Sequence, residues 1–144
     1  MSVDKEKLAE ILEHLRENIS YLEAFKVDSP QAFEENKERY FAIKNLLYEA
    51  VMDVIRTGQH IISAQQLEKP KSYKDVIRIL GENKVIPNKL ADRIQKMGGF
   101  RVILAHEYNK VTPERIYELH LRTEDFKDFI CQITKFIEFS ESKQ

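Results

Sequence analysis

Apolar residues recur at three- and four-residue steps through most of this chain, and that spacing leaves few folds open. From about Asp4 to Phe25, the residues Leu8, Ile11, Leu12, Leu15, Ile19 and Leu22 form one stripe. Such a stripe lies along one side of an α-helix, whereas a half-buried strand alternates every second residue. Ser29-Pro30 reads as an N-cap followed by proline at the first helical position. It predicts a second, long helix from there to about Leu67. Tyr40, Ile43, Leu47, Ala50, Val51, Val54, Ile55, Ile61 and Ile62 supply its buried face. Gly58 weakens that helix slightly and is the expected place for a kink.

Lys69-Pro70-Lys71 interrupts the pattern, and Ser72-Tyr73-Lys74-Asp75 resembles a capping box with Asp in the acidic position. A short helix with Val76, Ile77 and Leu80 inward is expected to follow and to end at Gly81. Pro87 is expected to start another, with Leu90, Ile94, Met97, Phe100 and Leu104 inward. Thr112-Pro113 repeats the cap-and-proline signal. The last helical stretch should run to about Phe139 with an interruption near Thr123. There are no repeats, low-complexity tracts or linkers. The expectation is an all-α fold, a single domain over residues 1–144. Its two long N-terminal helices should form an antiparallel hairpin within a compact bundle.

Composition agrees and sets limits. Charged residues make up 33% of the 144 positions, with only 4 Gly and 4 Pro, which favours helices over a sandwich or a disordered chain. A net charge of −1 argues against a protein that coats nucleic acid through bulk charge. It leaves room for a site that grips a few phosphates. The single cysteine, Cys131, has no partner for an intramolecular disulfide and fits a reducing cytosol. Cys131 sits among Phe129, Ile130 and Ile133 and is expected to act as a small core hydrophobe. No apolar run reaches membrane-spanning length and the N-terminus lacks a signal pattern, so a cytoplasmic protein without membrane contact is expected.

The chemistry-bearing stretch is Gly98-Gly99-Phe100-Arg101-Val102-Ile103-Leu104-Ala105-His106-Glu107-Tyr108. It contains R-x4-H-x-Y. Arginine offers a planar, permanently charged fork for phosphate. Histidine moves protons near neutral pH. Tyrosine offers a hydroxyl. The bland alternative is a surface arginine and a histidine near a helix C-terminus, where cations are favourable. On a regular helix Arg101 and Tyr108 share a side, while His106 lies about 140° from Arg101. Either the helix distorts near His106, or the site is completed across a two-fold homodimer. Gly98, Gly99 and Ala105 would permit the close approach that a dimer requires.

Context adds a resemblance. The run G-F-R-x-x-L-A-H-E-Y, continued by Val111-Thr112-Pro113-Glu114-Arg115-Ile116-Tyr117-Glu118-Leu119, resembles HepT-type toxins of the HEPN superfamily. Ala50 to Ile55 with His60-Ile61-Ile62, and Ser72-Tyr73, resemble the same family upstream. The resemblance covers about Phe41 to Leu119. It implies a HEPN-like helical fold and a homodimer. It also implies the toxin role of a type VII-like toxin–antitoxin pair with an MntA-type nucleotidyltransferase. The activity implied is metal-independent cleavage of RNA, with Arg101 and His106 as catalytic residues and no cofactor. Tyr108 stands where the family's H-x-Y tyrosine receives AMP from the antitoxin. One residue departs: Val102 replaces the polar residue, most often asparagine, that usually follows the arginine.

Other polar residues are weaker candidates. Asp53 and His60 lie seven apart on one helix face, either as a polar pair satisfied by hydrogen bonds or in support of the site at a dimer face. Without cysteines or a third ligand they make a poor zinc signal, and no metal is expected. His14 and His120 are expected at the surface. Two other functions compete with ribonuclease: an inert interaction module that keeps the nucleotidyltransferase pairing, and a nucleotide- or RNA-binding domain that uses Arg101 without chemistry.

Overall fold

A computed structural model describes residues 3–97 and 111–142. Among them are seven helices and no strand. Helix α1 spans Lys5–Ala24, capped by Asp4, whose carboxylate accepts from Lys7 N at 3.1 Å. Leu8, Leu12, Leu15, Ile19 and Leu22 are buried, so the stripe predicted from sequence is the packed face. Helix α2 is a single turn, Ala32–Glu35, and α3 spans Lys37–Ala64.

The long helix expected from Ser29-Pro30 is therefore divided. Asn36 breaks it, with φ −144° and ψ 88°, and its side chain accepts from Arg39 N at 3.0 Å. Asparagine is a strong N-cap because its short side chain replaces a backbone acceptor. That bond starts a new helix in place of continuing the old one. Phe33 of α2 is buried and lies 4.8 Å, centroid to centroid, from the Tyr40 ring of α3, which closes the corner.

Helices α1 and α3 form the expected antiparallel hairpin. His60, near the end of α3, meets Asp4 at the start of α1, and His14 meets Asp53 midway. Helix α3 continues through Gly58 to Ala64. Gly58 is buried against α4, Tyr73–Glu82. A Cβ at Gly58 would lie 2.4 Å from Val76 Cγ1 and 3.1 Å from Leu80 Cδ1. Gly58→Ala therefore forces the β-branched Val76 out of its place. The crowding outweighs alanine's better helix propensity, for a net loss of about 1 kcal/mol or more. Urea denaturation should show the lower midpoint.

Two helix ends use left-handed residues that are not glycine. Helix α4 passes through the buried Gly81, where the end was expected, and stops at Glu82. Lys84 has φ 58°. Lys84 N donates to Gly81 O at 3.1 Å and Val85 N to Leu80 O at 2.9 Å, a Schellman motif. Gln66, φ 54°, closes α3 in the same way, with Leu67 N donating to Ile62 O at 3.0 Å. An exposed non-glycine residue in this region costs about 1–2 kcal/mol. Lys84→Gly removes that cost and loses part of the gain to chain entropy, so a net stabilisation of about 0.5 kcal/mol is expected in thermal melts.

Helix α5, Asn88–Lys96, follows Pro87, and α6, Pro113–His120, starts after Thr112, whose hydroxyl accepts from Arg115 N at 3.3 Å. Leu90, Ile94 and Met97 are buried, as expected. The interruption expected near Thr123 is present, and α7 runs Thr123–Ser142, slightly beyond Phe139. Phe126, Phe129, Ile130 and Ile133 of α7 are buried, and α7 packs on α1, α5 and α3. Arg93 of α5 reaches Asp125 at 3.0 Å and Asp128 at 3.2 Å, fixing α5 to α7.

Candidate functional site

Arg101, Val102, His106 and Tyr108, with Phe100 and Leu104, lie outside the described residues. Helix α5 was expected to carry the motif toward its C-terminal end, but it stops at Lys96, and Met97 is extended with φ −66° and ψ 115°. Val111 precedes the Thr112 cap. Met97 and Val111 are 3% and 7% exposed, so the chain enters and leaves the motif from two core anchors.

The described polar residues expected to support the site, Asp53 and His60, are separated in function. His60 Nε2 accepts from Asp4 N at 3.1 Å, which satisfies a donor at the start of α1. Asp53 faces His14 instead. Its Oδ2 lies 2.5 Å from His14 Nδ1, and its Oδ1 accepts from Arg56 Nη1 at 3.0 Å. Asp53 is 2% exposed, while the His14 and Arg56 side chains are each 47% exposed. Burial pushes the Asp53 carboxyl above the ordinary carboxylate range, against the opposing pull of His14 and Arg56. Glu49, one turn earlier on α3, stands 3.7 Å from Arg56 Nη1. Thr57 returns its hydroxyl to Asp53 O at 2.8 Å.

His14 is at the surface as expected, while His120 and Cys131 differ from expectation. His14 is exposed but engaged, because a buried acid on the inner face of α3 requires a partner from the facing helix. That requirement was the available signal, and Asp53 among Ala50, Val51 and Val54 carried it. His120 is part-buried, and Nε2 donates to Leu22 O at 2.8 Å, tying α6 to the last turn of α1. Its Nδ1 is buried without a partner among the described residues. Cys131 is exposed. It lines a cleft of about 710 Å³ between α1 and α7 with Ile19, Lys127, Ile130 and Lys135. Phe129, Ile130 and Ile133 take the inward side of the helix and leave the thiol outside.

No helix among the described residues is long and apolar enough to cross a membrane. Residues 11–133 match the model of the HepT-like ribonuclease family. The mRNA nuclease HepT of Shewanella oneidensis is 35% identical over 85 residues, 57% of this chain and 60% of that protein. YutE of Bacillus subtilis is 29% identical over 97 residues, 67% of this chain and 65% of its own length. The chain therefore spans less than two thirds of these curated relatives. The fold is shared more widely. The solved YutE structure superposes with a TM-score of 0.82 at 21% identity, covering 96% of this chain and 94% of YutE. A tri-AMPylated HEPN toxin of Shewanella oneidensis, solved in complex with an MNT antitoxin, superposes with a TM-score of 0.76 at 24% identity. That match covers 89% of this chain and 96% of the toxin. Because the family's pattern runs through all but the ends of the sequence, the chain belongs to the HepT-like ribonuclease family.

Proposed function

We propose that this chain is the toxin of a HepT/MntA-type pair and cleaves RNA through Arg101 and His106 without a metal ion. The observation that carries this reading is the R-x4-H-x-Y spacing at Arg101, His106 and Tyr108, inside the segment that matches the family. His106 takes the proton from a ribose 2′-hydroxyl or delivers one to the departing 5′-oxygen. The 2′-oxygen attacks phosphorus, the bond to the 5′-oxygen breaks, and the products are a 2′,3′-cyclic phosphate and a 5′-hydroxyl. Arg101 holds the charge that grows on the phosphate with a bidentate fork. RNA is required because DNA lacks the nucleophile.

A two-fold homodimer completes the site. Two histidines then meet, one as base and one as acid, and an arginine from one protomer serves a histidine from its partner. Asp53 and His60 support the site only through the frame, since each has a structural partner on α1. Control comes from a neighbouring nucleotidyltransferase that places AMP on Tyr108.

A second reading rests on Val102, which cannot hydrogen-bond a phosphate or orient the histidine. In that reading the chain is an inert HEPN module that binds its nucleotidyltransferase. Purified protein incubated with varied RNAs in the presence of a chelator decides between them. Cyclic-phosphate ends confirm metal-independent cleavage. Cleavage by Val102→Asn alone identifies a weakened enzyme, and intact RNA with both proteins establishes the inert module.

A further inference from the structure

The α1/α3 hairpin is apolar along most of its length and polar at one level. There His14, Glu49 and Asp53 each offer one ligand atom, and the three atoms lie within 4.8 Å of one another. We propose that these residues bind a divalent transition-metal ion of the Zn²⁺ type, which clamps α1 to α3.

The donor set suits such an ion. One imidazole nitrogen and two carboxylate oxygens form a borderline-hard site, with a fourth position left for water. The ligands come from two helices that are already packed. Asp53 is buried on the rigid middle of α3, and the half-exposed His14 is free to adjust. His14 Nδ1 and Asp53 Oδ2, now 2.5 Å apart, separate by less than 1 Å to admit an ion with bonds of about 2.0–2.2 Å. A proton shared between them gives way to the metal.

Arg56 does not exclude the cation. It occupies Asp53 Oδ1 at 3.0 Å and leaves Oδ2 toward His14. An outer hydrogen bond of this kind orients a metal-ligating carboxylate. With His14 neutral, the two carboxylates and Arg56 leave one negative charge for a cation to balance.

Arg56, 3.7 Å from Glu49, accounts for that carboxylate, but a plain His14–Asp53 hydrogen bond does not explain Asn18. Asn18 lies one turn beyond His14 on α1 and is 7% exposed, and its Nδ2 has no hydrogen-bond partner among the described residues. The antiparallel register set by His14 and Asp53 brings Asn18 level with Glu49. A buried amide N–H without an acceptor is costly. Water on the open coordination position would supply that acceptor.

The test uses the full chain, freed of metal by a chelator and then dialysed. Titration with ZnCl₂ alone should show one equivalent bound at this site, and the melting temperature should rise with Zn²⁺ concentration. Glu49→Gln and His14→Ala both change partly exposed side chains and keep the fold. Each should weaken this binding at least as much as the roughly 10–100-fold cost of losing an outer-shell partner. Co²⁺ at the site should give visible ligand-field bands without the charge-transfer band of a thiolate, which separates it from Cys131. Absence of Zn²⁺ binding overturns the proposal. So does binding that both variants retain at full strength. RNA cleavage is not the readout, so an inert module and an empty metal site are told apart.

Discussion

His106→Ala is expected to lower the rate of RNA cleavage by about 10²–10⁴-fold, the usual contribution of a positioned proton carrier. Arg101→Ala should come close to it, because the charge that develops on the phosphate loses its fork. Neither change should alter the circular dichroism spectrum or the melting temperature if the two side chains act in chemistry and not in folding, and both are measured beside the activity. A mixture of the two variants then tests the shared site. If each site takes Arg101 from one protomer and His106 from its partner, a mixed dimer contains one intact site and one doubly damaged site. Activity should partly return on mixing. No recovery means that both residues act within one protomer, and the helix must distort to bring them together. Unchanged cleavage by His106→Ala overturns its role as proton carrier.

The sequence carried the helical class because the apolar spacing on α1 and α3 leaves no alternative. The bounds of α1 were legible for a local reason, since the Asp4 cap and the end of the stripe at Leu22 both lie within a few residues. The break at Asn36 was not legible. An asparagine between charged residues is compatible with either a helix surface or a cap, and the packing of Phe33 on Tyr40 decides. The Schellman ends were hidden because lysine and glutamine, in place of glycine, take the left-handed position. Gly81 and Gly58 carry the opposite lesson: both lie inside helices where a neighbouring side chain packs close, and neither ends its helix.

The polar residues divide in a similar way. Periodicity placed Asp53 on the inner face of α3 but carried no information about which residue faces it. His14 is 39 positions away, and only the hairpin register joins them. The R-x4-H-x-Y motif was legible because its spacing is local and its residue types are chemically distinct. Its pairing in space is not fixed by that spacing, because an ideal helix sets Arg101 and His106 about 140° apart. Spacing along one strand of sequence identifies such a site without building it.

Tyr108→Phe is expected to leave the toxin active and remove its control. Tyr108 lies two residues beyond His106 and, on a regular helix, on the side of Arg101. AMP attached to its hydroxyl places a phosphate within reach of the arginine. An intramolecular anion then occupies the fork that RNA would need, and adds like charge against the incoming backbone. Phenylalanine keeps the ring and removes only the acceptor oxygen, so folding and cleavage should be close to wild type. Co-expression with an MntA-type nucleotidyltransferase supplies the readout. Wild-type protein should gain mass in AMP-sized steps, with the modified peptide containing Tyr108, and should lose most of its ribonuclease activity. The Phe variant should show neither change and should arrest growth despite the partner. If wild-type protein is neutralised without any added mass, the antitoxin works by binding alone, and Tyr108 is a packing residue at the edge of the site.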